Sequence, residues 1–412
     1  MVAETLKKIG KKMKKLSKFM YGLIYFCHSC ASTNPSNDFS YQGWSLLEEA
    51  RSLDCEFWEK TSNELEIKEL TPMTYGDKFS YFVKSQDRKG KVLRYIAYSD
   101  DGLEVDNRMS LSWGAEDRYL QDFMLAGQSV IVMQRKKNQG EASIEIRDSK
   151  KNIVIASSKP MPANFEAVAA AYDDKWLWVA YRLDSEDIAS IDQDILVAKF
   201  TISNESLEKI QTLKPNLSGE IVMLRSEALK QAFAIIRDAH TERDQSGRRF
   251  SFINLTESKG NKPQMKTLVK ASDKVESWGA VLHGENLYLA FVSGDTLLWN
   301  NAKLNMTSYN LQGIKHQETS LDIDRIHVGD VRLISHVSGP IAVMPQWLEG
   351  ESTVGFYSLV DGSLKSMGVY GVFIQGTEFF GAFSYVNDRN VILLNRSNES
   401  FAKKYSVCNV EL

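Results

Sequence analysis

Apolar positions along this chain come in short runs of about five to eight residues, parted by turns and charged loops, the pattern of many short strands. One unit recurs. An apolar strand enters a tight polar or glycine turn, and a second, very apolar strand leaves it. A charged loop, a third alternating strand, another turn and a weaker fourth strand follow. The first hairpin of the unit reads Phe123-Met124-Leu125-Ala126-Gly127-Gln128-Ser129-Val130-Ile131, and again Ala280-Val281-Leu282-His283-Gly284-Glu285-Asn286-Leu287-Tyr288. Further versions run from Ala167 to Tyr172 before Trp176-Leu177-Trp178-Val179-Ala180, and from Val331 to Ile334 before Ile341-Ala342-Val343-Met344. Upstream, Glu64-Leu65-Glu66-Ile67-Lys68-Glu69-Leu70 alternates and predicts a strand. Ser45-Leu46-Leu47-Glu48 has the form of a capping box and predicts a short helix from Ser45 to Ser52.

The ends of the second strands align at Lys84, Arg135, Arg182, Arg237, Val292, Gln346 and Ser384, with spacings of 51, 47, 55, 55, 54 and 38. A period near fifty residues with four strands per unit resembles the β-propellers, and the resemblance covers residues 64–412. It implies an all-β fold: a seven-bladed β-propeller of four-stranded blades, preceded by a short helical segment. Each blade would be apolar on both faces and would bury itself only by stacking on its neighbours. No recurrent Trp-Asp dipeptide or kelch double glycine assigns a named repeat family. Ser99-Asp100-Asp101-Gly102 reads as a turn. The strand at 64–70 is expected to complete the last blade and close the ring, leaving no open edge.

The first residues carry a different signal. Seven Lys stand within residues 1–18, and the uncharged run Phe19-Met20-Tyr21-Gly22-Leu23-Ile24-Tyr25-Phe26-Cys27 follows. A basic segment, a short apolar core and then small residues make a secretory signal peptide over residues 1–31. Its core is well short of the ~20 residues that span a bilayer. Ser29-Cys30-Ala31 fits ordinary cleavage after Ala31, while Cys30 followed by a polar stretch fits a lipidated amino-terminal cysteine; both routes stay open, and both export the chain. Residues 32–63 would be a tether and the short helix.

Export alters the charge and the cysteine chemistry. The chain of 412 residues has a formal net charge of −3, and removing residues 1–29 takes away seven Lys and one Glu and brings it to −9. An acidic exported body argues against nucleic acid as a partner. Of four cysteines, Cys55 and Cys408 remain beside Cys30. In an oxidising compartment they are candidates for one disulfide, with two buried thiols as the alternative.

Candidate chemistry is sparse. No His pair has a zinc spacing, and no nucleophile elbow, phosphate loop or dinucleotide fingerprint occurs, so no metal and no cofactor are implied. The acidic loop Asp184–Asp194 reads as a solvated loop, and with the charged loop from Arg237 to Arg249 it would stand on one face of the disc. By repeat logic Lys84, Arg135, Arg182 and Arg237 would form a cationic arc near that face, able to hold a carboxylate or phosphate, or else pair with loop acids such as Asp184 and Asp238. Trp113, Trp278 and Trp347 lie near predicted loops and are candidates for stacking on a sugar or a protein partner. Trp176 and Trp178 alternate within a strand and are expected to pack between blades.

These readings converge on an exported, non-catalytic ligand- or protein-binding propeller of the cell envelope. It would be outer membrane-associated, periplasmic or extracellular, and held to a membrane by a lipid if Cys30 is modified. Its partner would be an envelope protein or a glycan. The alternative is a glycan-cleaving, sialidase- or glycosidase-like propeller enzyme, which needs paired carboxylates about 5 to 10 Å apart.

Overall fold

The structure, a computed structural model, describes the strands between Arg51 and Glu411 together with many of their connections, and side chains within 117–369. Residues 1–50, 53–54, 58–64, 74–78, 88–91, 100–106, 112–116, 137–139, 185–191, 204, 239–247, 272–274, 294–301, 324–325, 328–330, 349–350, 372–376, 385–389, 398–403 and 412 lie outside that description. The signal segment, Cys30, Trp113 and most of the two charged loops therefore fall outside it.

All regular structure among the described residues, beyond isolated turns, is β. Two short strands come first, β1 (Arg51–Ser52) and β2 (Cys55–Phe57). Then β3 (Leu65–Met73), β4 (Phe79–Asp87), β5 (Val92–Ser99) and β6 (Asn107–Leu111) form an antiparallel meander. A second meander is β7 (Arg118–Leu125), β8 (Gln128–Lys136), β9 (Ala142–Asp148) and β10 (Val154–Ser158). A third is β11 (Phe165–Tyr172), β12 (Trp176–Leu183), β13 (Leu196–Ser203) and β14 (Ser206–Leu213). These two share one eight-stranded sheet, because their outer strands β10 and β14 pair in parallel. Next come β15 (Gly219–Ser226), β16 (Gln231–Asp238), β17 (Arg248–Asn254) and β18 (Met265–Ala271), then β19 (Val275–His283), β20 (Asn286–Ser293), β21 (Ala302–Asn310) and β22 (Lys315–Ile323).

The following sheet starts with a broken strand. β23 (Ile326–His327) and β24 (Arg332–His336) both pair with β25 (Gly339–Leu348), which continues into β26 (Glu351–Val360) and β27 (Ser363–Gly371). Pro345 of β25 stands between the residues that pair with β24 and those that pair with β23. A proline has no N–H to give a ladder. The last sheet is β28 (Thr377–Ser384), β29 (Asn390–Ser397) and β30 (Lys404–Glu411), completed by β2.

Hairpin turns fix the register of each first pair. Leu125 faces Gln128 across Ala126 and Gly127, which have φ of 49° and 82°. Two positive φ values make the mirror-image turn that matches the twist of a hairpin, and Gly supplies one of them without strain.

The core lies between sheets, as the apolar alternation requires. Along β12, Leu177, Val179 and Tyr181 pack with Val130, Ile144 and Ile146 of the preceding meander. Trp178 and Ala180 point the other way, onto Ala232, Ala234 and Ile236 of β16. The next residues of β16, Phe233 and Ile235, pack with Leu287, Leu289 and Phe291 of β20. Ala290 and Val292 of β20 face Ala342 and Met344 of β25. Among the described side chains, the central strands β12, β16 and β20 thus each have two buried faces, one for each neighbour. The first strands meet in succession, β7 with β11, β11 with β15, β15 with β19, β19 with β24 and β24 with β28. At one of these meetings Gly279 leaves no room for a Cβ, which would stand 3.1 Å from Val331 O and Leu333 N.

Three expectations are corrected. The strand at residues 64–70 does not close the last sheet: as β3 it pairs with β4 and opens its own meander. Closure falls to β2, in a stretch too short to show alternation. Arg51–Ser52, expected at the end of a helix, is a strand that pairs in parallel with β27. Lastly, Ser384 ends a first strand rather than a second one. The second strand is β29, and Arg396, 50 residues beyond Gln346, stands where the repeat predicts. The sheet looked short because its fourth strand comes from the other end of the chain.

Candidate functional site

Two of the basic positions singled out by the repeat, Arg182 and Arg237, reach into the seams between sheets. Arg182 of β12 donates from Nη2 to the main-chain oxygen of Gly219, the first residue of β15. Arg237 of β16 donates in the same way to the oxygen of Val275, the first residue of β19, at 3.2 Å, and its Nη1 lies 3.1 Å from Glu220. At the preceding seam the equivalent bond comes from Gln134, not Arg135: Gln134 Nε2 donates to Phe165 O, and Ala167 N donates back to Gln134 Oε1, each at 2.8 Å. Arg135 points to the other face and approaches Asp117 at 3.6 Å and Glu145 at 3.9 Å. Between β19 and β24 the bond comes from Val331 N to Ser277 Oγ.

The acids facing the arginines stand on first strands. Glu166 is opposite Arg182, Glu220 opposite Arg237, and Glu378 opposite Arg396. Lys84 is opposite Glu69. Asp238, expected as a partner for the basic row, holds Arg249 at 2.6 Å. Asp184 is engaged with Asn164 and Gln193. Burial pulls the Arg182 guanidinium below its usual range, with Glu166 and Glu220 opposing the shift.

Of the three candidate tryptophans, Trp278 is buried at 9% exposure, its ring against Phe250 and its Nε1 donating to Glu220. It packs a seam and offers no platform. Trp347 pairs through its backbone with Ile326 and Ser352 in β25, and its side chain lies outside the described residues. Trp178 is fully buried between sheets as expected, its Nε1 bonded to Asp173 at 2.9 Å. Asp173 also accepts from Thr256 of the next meander at 2.7 Å.

A cleft of about 390 Å³ lies at the other end of the strands, among the hairpin turns of β7–β8, β11–β12 and β15–β16. Tyr172 and Arg225 form its buried floor, and Met124, Ala126 and Gly127 make one wall. Asp174, Glu227 and Lys230 rim it. Arg225 Nη2 reaches Asp174 at 2.6 Å and Glu227 at 2.9 Å, and Lys230 lies 3.1 Å from Asp174. The Arg225 side chain is only 7% exposed, and its Nε and Nη1 have no hydrogen-bond acceptor. Its guanidinium also lies 5.8 Å from the Tyr172 ring centre. Tyr172 stacks on Phe123 and donates from its hydroxyl to Asp174 O. Its phenol is pushed up by burial first and by Asp174 next, with Arg225 pulling the other way.

Such a floor can hold an anionic group. A desolvated guanidinium binds a carboxylate more strongly than a solvated one does. None of the cleft residues was singled out in sequence. Their signal is faint: Arg225 and Tyr172 each lie within one residue of a strand's end, beside turns whose length alone is visible.

No protein-family model matches the chain, and no curated protein matches it in sequence. Solved structures do. The propeller domain of the Trilobed protease from Pyrococcus furiosus, with an open velcro topology, aligns at 12% identity and TM-score 0.49 over 84% of this chain and 96% of that one. A puromycin-hydrolysing peptidase of Mycobacterium tuberculosis aligns at 12% identity and TM-score 0.55 over 84% of this chain and 52% of the peptidase, so this chain spans about half its length. The Dos1 propeller aligns at 8% identity and TM-score 0.51 over 85% of this chain and 86% of that one. The fold is a β-propeller, and its meanders are the blades.

Proposed function

We propose that this chain is an exported, non-catalytic binding propeller of the cell envelope, with seven blades, whose cleft at the hairpin turns of β7–β8, β11–β12 and β15–β16 takes a carboxylate-bearing ligand. The observation that carries the reading is Arg225: a guanidinium buried at the floor of an open cleft, with donors still to be used. Glu227 is half exposed on the rim and occupies only Nη2. An incoming carboxylate that displaces it meets a guanidinium already stripped of water, with Lys230 beside it and the Tyr172 ring below. The same chemistry is offered by an acidic sugar and by a Glu, Asp or terminal carboxylate of an envelope protein. The basic segment and apolar core at the amino terminus support export, and the seven meanders separated by about fifty residues support the blade count.

The test is binding by the purified chain to an array of acidic and neutral glycans and to envelope proteins displayed as peptides. Retention of acidic members, lost when their carboxylates are amidated and weakened at least tenfold in Arg225→Lys and Lys230→Glu, is the expected result. Binding indifferent to both substitutions overturns the assignment of the cleft. Turnover of a glycan overturns the non-catalytic reading.

A further inference from the structure

We infer that Cys55 and Cys408 are the two halves of a disulfide that locks the last blade shut. The two residues are 353 positions apart in sequence, yet β2 and β30 pair antiparallel with Cys55 directly opposite Cys408. Glu56 faces Val407 and Phe57 faces Ser406, so the pairing is in register across the whole of β2. Residues directly opposite in an antiparallel pair lie on the same face of the sheet, with Cα atoms about 4.5 to 5.5 Å apart. Disulfides join cysteines whose Cα atoms are about 4.4 to 6.8 Å apart. The register therefore meets the backbone requirement for a bridge without rearrangement.

The position explains what the bridge does. This blade takes three strands from the carboxyl-terminal end of the chain and β2 from the amino-terminal end, where β1 also joins the preceding sheet beside β27. β2 is three residues long and lies at the sheet's edge. A three-residue edge strand has few ladder bonds to hold it. Cross-linking it to β30 makes closure of the blade independent of those few bonds, and closing so long a loop restricts the unfolded chain more than a short one does.

Formation needs a disulfide donor, the class of oxidant that thiol-oxidising enzymes and oxidised glutathione supply. One cysteine thiolate attacks a donor sulfur, forms a mixed disulfide and expels one donor thiolate. The second cysteine thiolate then attacks the protein sulfur of that mixed disulfide and expels the other. One S–S bond forms and one breaks, two electrons pass to the donor, and two protons leave the cysteines for the two donor thiolates.

The experiment equilibrates the purified, reduced full chain with oxidised glutathione, alkylates what stays reduced under denaturing conditions, and maps the peptides. The expected product is a linked peptide pair holding Cys55 and Cys408, with its unfolding midpoint raised above that of the reduced chain. Cys55→Ser and Cys408→Ser should each abolish the rise, and the double variant should lose no more than either one. Alkylated or separately glutathionylated Cys55 and Cys408 overturn the inference, as does a link of either to Cys27 or Cys30 in its place. The chain isolated from its own cell answers a separate question. Reduced cysteines there, in a chain that forms the bridge with glutathione, would remove the export reading and leave the pairing intact.

Discussion

Arg237 and Val275 belong to different blades, and the guanidinium of the first donates to the carbonyl oxygen of the second at 3.2 Å. Arg182 and Gly219 stand in the same relation one blade earlier. A charged side chain at the end of a second strand thus reaches the first residue of the next blade and donates to its main-chain oxygen. Glu220 holds Arg237 from the side, and Trp278 donates to the same carboxylate. Arg182 and Arg237, expected to face a ligand, clasp one blade to the next.

Replacing Arg237 by Ala should therefore weaken the fold rather than a ligand's affinity. It removes a charge-assisted bond at a largely buried group and takes the Arg237 ion pair from Glu220, a loss of about 1.5 to 3 kcal/mol. Arg237→Lys should recover only part, because a single ammonium cannot reach both Glu220 and Val275 O in fork geometry. The urea midpoint of each variant checks this. Wild-type stability in Arg237→Ala would return the residue to the list of surface charges.

Trp278 offers a second measure of the same seam. Its ring packs on Phe250, which in turn packs on Phe291, and Trp278→Ala should cost about 3 to 5 kcal/mol through lost burial and the cavity left behind. Trp278→Phe should cost less, keeping most of the packing and losing the bond to Glu220. Equilibrium unfolding followed by circular dichroism reads both; a Trp278→Ala variant as stable as the parent would mean the ring lies outside the core.

Alkali should unfold the protein through its tyrosines. Burial raises the phenol of Tyr309 well above its ordinary value, and the phenols of Tyr181 and Tyr288 shift the same way for the same first cause. In the unfolded chain these groups lose their protons near pH 10, while the folded chain keeps them. The folded state then binds more protons, so stability is fully present below about pH 10 and falls as pH rises through the folded values. Tyr309→Phe should flatten that fall and change little at neutral pH. Urea midpoints from about pH 9 to about pH 12 test the slope, and an equal slope in the variant would remove Tyr309 as a source.

Export makes its own prediction. The native chain should begin at Cys30 or at Ser32, and mass spectrometry of its amino-terminal peptide decides between them. A fatty-acid probe that labels the chain and is lost in Cys30→Ala would mark a lipoprotein; an intact Met1 on the native protein would end the export reading.

The local pattern alone determined the strands, their hairpins and the two buried faces of each blade. Leu177, Val179 and Tyr181 alternate with Trp178 and Ala180, and the two-residue period of an extended backbone sends them to opposite neighbours whatever the rest of the chain does. Burial of Trp178 was legible for the same reason. What each polar side chain meets was not. A slip of one residue turns a side chain to the other face, and that slip separates Gln134, which clasps the next blade, from Arg135, which does not. The partners of Arg182 and Arg237 lie 37 and 38 residues on, at positions marked by nothing but the start of a strand. The cleft needs three turns from three blades, and Arg225 became its floor only when they met. Closure shows the division most plainly. The sequence placed Cys55 and Cys408 near opposite ends of the compact body, but only the tertiary structure could choose β2 over β3 as the closing strand, because a three-residue edge strand has too little pattern of its own and is defined by the strand it pairs with.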